Sequence, residues 1–207
     1  MYVEQSFFQR WWREQSEETK HLVKKLVKSG QLDLTANGGW AMHDEATPHY
    51  TTMLDQTTFG HKFLLKEFGV RPRIGWQIDP FGHSLTQGSL LSAGIGFDGL
   101  YFARMDYQDY DKRLREKNLG NHIFWPMGSD MEYINALRWF QNLDRLIHYG
   151  NQEGRVNILY STLGEYTDLK LQDKSIEWAV KTDDFFPYAN SQNAYWYASA
   201  PIVQTSI

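Results

Sequence analysis

The 207-residue sequence predicts an α/β fold in which parallel strands are joined by helical crossovers. Three observations predict it. Short apolar segments alternate with longer stretches of helical periodicity, the helical stretches carry recognisable start and stop residues, and polar residues follow the apolar segments one after another.

The first helix is announced in "SEETKHLVKKLVKSG". Glu17 and Glu18 lie in its first turn and Lys24, Lys25 and Lys28 in its last, while Leu22, Val23, Leu26 and Val27 make an apolar stripe and Gly30 stops it. A second helix takes Thr47 as N-cap and Pro48 as its first residue, carries Tyr50, Met53, Leu54, His61, Leu64, Leu65 and Phe68, and ends at Gly69. Then come a short helix around Thr86 to Ala93 and a long one from about Met131 to Ile147. A last helix is opened by a capping box of Thr162 and Glu165.

The segments between them read as strands: "LDLTA" (32–36), "IGWQI" (74–78), "GLYFA" (99–103), "HIFWP" (122–126) and "VNILY" (156–160). In parallel sheets, ligands bind at the carboxyl edge. The residues following the segments are Asn37-Gly38-Gly39, Asp79, Arg104, Ser129-Asp130 and Ser161, so polar groups from separate strands are expected on one rim.

Composition narrows the partners. A net charge of −4 gives no basic field, and Lys20, Lys24, Lys25 and Lys28 cluster at helical spacing, which argues against nucleic acid. No run approaches the roughly 18 apolar residues of a membrane span, and "MYVEQSFFQRWWREQ" shows no signal peptide. The chain has no cysteine, so any metal must be held by His, Asp or Glu. Aromatic residues make up 15% of the chain, which suits either sugar stacking or core filling. Repeats and low-complexity stretches are absent, and nothing selects an oligomeric state.

Two places set acids in aromatic, apolar surroundings: Asp79 in "GWQIDPFGHS", and Asp183-Asp184 before "FFPY". Burial prepares a carboxyl as an acid and a neighbouring cation prepares one as a nucleophile, so a pair in different environments suits glycoside hydrolysis. The structural alternative makes Asp79 a helix cap and one of Asp183-Asp184 a turn residue. His83 lies four residues after Asp79, but Pro80 and Gly82 oppose a helix there, which favours a hydrogen bond to local backbone over a metal-ligand pair. "MHDEATPH" (42–49) is explained by capping. Arg104, with Asp106, Tyr107 and Asp109 nearby, is either a surface ion-pair residue or a charge held at the rim.

The stretches "PRIGWQIDPFGHS", "GFDGLYFARMDYQD", "MGSDMEYINALRWFQNLDRLI" and "DDFFPYA" together resemble glycoside hydrolase family 38, the zinc-dependent α-mannosidases, in its lysosomal or acidic branch. "NGGWAMHDEATPHY" and "DQTTFGHKFLLKEFG" are similar to the family too, so the likeness runs from Tyr2 to Trp196. It implies a partial (β/α) barrel-like N-terminal catalytic domain that removes α-linked mannose with retention, acting on a mannose-containing oligosaccharide in a lysosome or vacuole-type compartment. It also implies site roles: Asp79 as nucleophile and zinc ligand, Phe81 at the sugar, Arg104 beside the nucleophile and Asp184 as general acid/base.

Three departures from the family pattern set further expectations. No His-x-Asp pair of zinc ligands precedes Tyr2, so a first strand is expected to be missing. Asn118 to His122 bridges directly a junction where the family carries many tens of residues. After Tyr195-Trp196 the pattern leading to a histidine ligand is not followed, which leaves Asp79 as the one expected zinc ligand of four, with His43, His49 and His83 at other positions. Residues 1–207 are thus expected to be part of a catalytic domain, with weak carbohydrate binding without turnover as the alternative.

Overall fold

The computed structural model describes residues 4–44, 47–109, 119–178, 180–185 and 188–194. It divides into two compact units, one of residues 1–120 with 162–207 and one of 121–161.

In the larger unit, helix α1 (Ser6–Arg13) was not expected from the sequence. It sends Phe8 and Trp12 into a core completed by Val23, Leu34 and Leu64. Trp12 packs on Phe68 with ring centroids 4.8 Å apart, and its indole N–H is satisfied by Glu67 Oε2 at 3.2 Å. Helix α2 (Glu17–Lys28) begins where its charge pattern predicts, because the Ser16 hydroxyl accepts from Thr19 N at 3.2 Å. Gly30, at φ 79°, follows its end.

Helix α3 (Tyr50–Phe68) starts later than Thr47 and Pro48 suggest. Thr47 N donates to Asp44 O at 2.9 Å, so Thr47 belongs to a turn, and the His49 ring takes the cap by accepting from Thr51 N at 3.3 Å. Its end is as expected: Gly69 is left-handed at φ 69°, and its N–H reaches the Leu65 carbonyl at 3.1 Å.

Strands β1 (Ile74–Gln77) and β2 (Gly99–Phe102) pair in parallel with Ile74 opposite Gly99 and Gln77 opposite Phe102. Isolated parallel bridges join Ala36 to Ile74 and Glu4 to Gly39. Parallel contacts therefore run in chain order from residue 4, through 36–39 and β1, to β2, and helices fill each crossover. The architecture is mixed α/β. The expected strand at 32–36 is reduced to the single bridge at Ala36; the Asp33 side chain folds back on Thr35, accepting from its N–H at 2.8 Å and its hydroxyl at 2.6 Å.

Helix α4 (Leu85–Leu90) occupies the crossover between β1 and β2, starting one residue before the expected Thr86 because Ser84 caps it. It ends at Leu90, short of the expected Ala93, as the Ser92 hydroxyl bonds back to the Gly88 carbonyl and residues Ala93–Ile95 tighten into a 3-10 turn.

The smaller unit contains a 3-10 turn (Glu132–Asn135) and helix α5 (Ala136–Gln152), which runs five residues past the expected end. Residues 122–126 and 156–160, expected as strands, have no ladder partner among the described residues. The Asn151 amide substitutes for one: it accepts from Ile158 N at 2.7 Å and donates to Ile158 O at 2.8 Å, so a helix side chain satisfies the segment's backbone.

In the larger unit again, helix α6 (Leu163–Gln172) opens with the expected capping box, Glu165 N donating to Thr162 Oγ1 at 3.2 Å and Thr162 N to Glu165 Oε2 at 2.8 Å. It is tied to the start of β1 by Arg73, which donates to Asp168 Oδ2 at 2.8 Å and Gly164 O at 3.1 Å. None of the described helices is long and apolar enough to cross a membrane.

Candidate active site

The buried strand β1 delivers Asp79 to its carboxyl end, where the "DPFGHS" loop leaves the sheet. Proline and glycine keep that loop out of a helix, so the Asp79 carboxylate is free to face the end of the neighbouring strand. There it meets Arg104, two residues past β2: Arg104 Nη2 donates to Asp79 Oδ1 at 2.6 Å. This contact raises the Arg104 pKa above its ordinary value, the Asp79 hydrogen bond being the largest cause. The guanidinium carbon lies 4.7 Å from the centroid of Phe81, within cation–π range. A carboxylate, a cation and a flat ring thus come together from one loop and one strand end.

Asp184 reaches the same loop from about a hundred residues later in the chain. Its Oδ1 accepts from Leu85 N, the first residue of α4, at 2.9 Å and from Phe185 N at 2.8 Å. The helix-capping role anticipated for Asp79 thus falls to Ser84 and Asp184, because the Asp79 carboxylate is engaged by Arg104. Phe185 packs on Phe102 at 5.2 Å and on the His83 ring at 6.2 Å, so aromatic contacts bind the Asp184 segment to the end of β2. His83 does bond backbone, but across the sheet rather than locally: its Nε2 meets Ala103 O at 2.9 Å. Burial lowers its pKa. Asp183 points elsewhere, 3.4 Å from Lys181.

Residues that sequence reasoning passed over also converge here. Tyr188, buried at 3% exposure, donates its hydroxyl proton to Asn190 Oδ1 at 2.6 Å, and Ala189 N donates to Asp106 Oδ2 at 3.0 Å. Tyr188 stood within the quoted "DDFFPYA", but nothing in its spacing marked it.

The residues from 1 to 119 and from 110 to 191 match the glycosyl hydrolases family 38 N-terminal domain. The chain belongs to glycosyl hydrolase family 38. It is 45% identical to an alpha-mannosidase of Arabidopsis thaliana, the alignment covering 95% of this chain and 26% of that protein. It is 41% identical to the alpha-mannosidase of Canavalia ensiformis, covering 95% and 27%. Against the lysosomal alpha-mannosidase of Felis catus it is 37% identical, covering 99% and 28%. This family 38 chain therefore spans about a quarter of the length of the curated relatives it matches.

Zinc, implied by the sequence resemblance, requires at least three protein donors. Among the described residues no three His, Asp or Glu side chains come together in an arrangement that could hold a metal ion. The Asp79 carboxylate is engaged by the Arg104 guanidinium, so the donor set described around it does not fit zinc by itself.

Proposed function

We propose that the chain carries the two reacting carboxylates of a retaining α-mannosidase site acting on mannose-containing oligosaccharides, as part of a (β/α) barrel-like catalytic domain. The carrying observation is the Asp79–Arg104 pair at the carboxyl end of β1, over Phe81. Asp79 is the nucleophile, Asp184 the general acid/base, and Phe81 and Arg104 shape the sugar subsite. Arg104 engages Oδ1 of Asp79, which leaves Oδ2 to attack the anomeric carbon. Asp184 protonates the departing glycosidic oxygen as that bond breaks and a glycosyl–enzyme ester forms. It then takes a proton from the water that attacks the ester, restoring both groups with net retention. This requires the two carboxyl groups about 5 to 5.5 Å apart in the loaded site.

Further support comes from the parallel contacts in chain order, as a (β/α) barrel demands. The Arabidopsis alignment runs over 268 residues, more than the 207 of this chain, and the two family matches meet at 110–119. This supports a missing internal segment beside residue 119. The names of the lysosomal relatives support a lysosome or vacuole-type compartment.

The lack of a three-donor cluster among the described residues favours a second reading, sugar binding without turnover. One preparation tests both: its zinc content, its release of chromophore from an α-mannoside, and an NMR titration with methyl α-mannoside. We expect zinc well below one equivalent, negligible release, and shifts around Asp79, Phe81 and Asp184 that vanish in Asp79→Ala. One equivalent of zinc with Asp79-dependent release overturns the second reading. A titration without shifts, in a sample without turnover, overturns both.

A further inference from the structure

The segment that carries Asp184 is fastened on both sides of that residue. Three positions before it stands Lys181, a cation whose side chain is only 10% exposed, and its Nζ donates to Asp109 Oδ2 at 2.7 Å, in the stretch that follows β2. The same Nζ lies 3.4 Å from Asp183 Oδ1 and 4.9 Å from the centroid of the Phe185 ring. One position after Asp184, that ring packs on Phe102 at the end of β2 and on the His83 ring.

Taking an ammonium out of water is costly unless a counter-charge and further contacts offset it, and here the Asp109 carboxylate and the Phe185 ring do so. An ammonium so placed has one stable position, and the chain on either side of it is held accordingly. The two adjacent aspartates go different ways. Asp183 faces the cation, whereas Asp184 turns to Leu85 N and Phe185 N, both of which donate to its Oδ1. We propose that Lys181 is the positioning residue for Asp184: it ties the segment to Asp109, holds Asp183 aside and clamps the Phe185 ring, so that of two neighbouring carboxylates it is Asp184 that meets the Leu85 amide. With Oδ1 held by two amides, Oδ2 is the oxygen left for proton transfer. The consequence for catalysis rests on the reading of Asp184 as general acid/base; the positioning itself does not.

The test is amide exchange with water at Leu85 in the 15N-labelled chain, with Asp184→Ala setting the rate of the unbonded amide. Lys181→Met, which keeps the aliphatic stem and removes the charge, is expected to speed Leu85 exchange roughly tenfold or more, as befits a lost hydrogen bond to a charged group. Lys181→Arg, which keeps the charge, should restore slow exchange. Gln87 is the internal reference, since its N–H donates to Ser84 Oγ at 3.3 Å in the same helix without help from Asp184. A merely structural role would speed both amides alike, whereas positioning leaves Gln87 within about twofold of the parent. Should Lys181→Met fail to fold, the double variant with Asp109→Asn, which removes the opposing charge as well, takes the same measurement. Leu85 exchange changed by less than about twofold in the folded variant, or accelerated equally with Gln87, overturns the proposal. Because both signals belong to the chain itself, failure of mannoside binding leaves this result standing, and an unchanged Leu85 signal overturns the positioning even where mannoside binds.

Discussion

Gly60→Ala is expected to unfold or severely destabilise the larger unit, by about 3 kcal/mol or more. In an open helix the same change stabilises by about 1 kcal/mol, since alanine is the better helix former. Here the sign reverses because α3 lies directly against the Asn37-Gly38-Gly39 turn. A Cβ on Gly60 would fall 2.0 Å from Gly38 O, 2.7 Å from Gly39 C and 2.9 Å from Gly39 Cα. All three are backbone atoms, so no rotamer relieves the clash. The turn cannot retreat either: His61 Nε2 bonds Asn37 O at 2.7 Å, and the Asn37 side chain accepts from Trp76 N in β1 at 2.6 Å. Pushing α3 away would therefore pull on the strand that carries Asp79. Gly88→Ala is the control, since its Cβ would meet only Leu100 Cδ2 at 3.6 Å. Urea denaturation of both variants decides it, and a Gly60→Ala protein as stable as the parent would refute the packing argument.

Acidification from about pH 6.5 to 4 is expected to remove up to about 3 kcal/mol through His43 alone. Burial pushes the pKa of His43 down to about 4, against the smaller opposing effects of the Met53 carbonyl and Asp44. The Thr57 hydroxyl donates to Met53 O at 2.7 Å, so the His43 Nε2 at 3.1 Å must carry the proton of that contact. The bare Nδ1 faces the Gln77 amide nitrogen at 3.5 Å, and a second proton there would set donor against donor. The unfolded chain binds a proton near 6.5, the folded chain only near 4. Between those values the unfolded state holds more protons. Stability is thus complete above the window and falls as pH falls through it. His61 and His83, also lowered chiefly by burial, act in the same direction. Urea midpoints at roughly pH 7.5 and 4.5 measure the loss, and His43→Gln should flatten it. An equal pH slope in parent and variant would exclude His43 as its source.

Local signals were legible wherever a residue acts on its immediate neighbours. Glu17 and Glu18 in the first turn of α2, Gly69 after Phe68, and Thr162 with Glu165 each mark a helix end through contacts within a few residues, and such contacts survive any tertiary arrangement. Asp79 at the end of an apolar strand was legible for the same reason, and the family resemblance rested on contiguous motifs. Strands 122–126 and 156–160 were misread because a strand exists only when another chain segment supplies its ladder, which composition cannot reveal.

Sequence by itself determined the family, the alternation of apolar segments with helices, and the identities of Asp79, Phe81, Arg104 and Asp184 as the residues to watch. Tertiary structure alone decided their company. It set Arg104 against Asp79, gave Asp184 the amide of Leu85, and brought Ala189 to the Asp106 carboxylate from more than eighty positions away along the chain. The physical reason is range. Capping, periodicity and backbone stiffness act over one or two turns and are written in adjacent letters. A hydrogen bond between distant residues depends on where the whole chain places its donor and its acceptor, and on a burial that no single residue specifies.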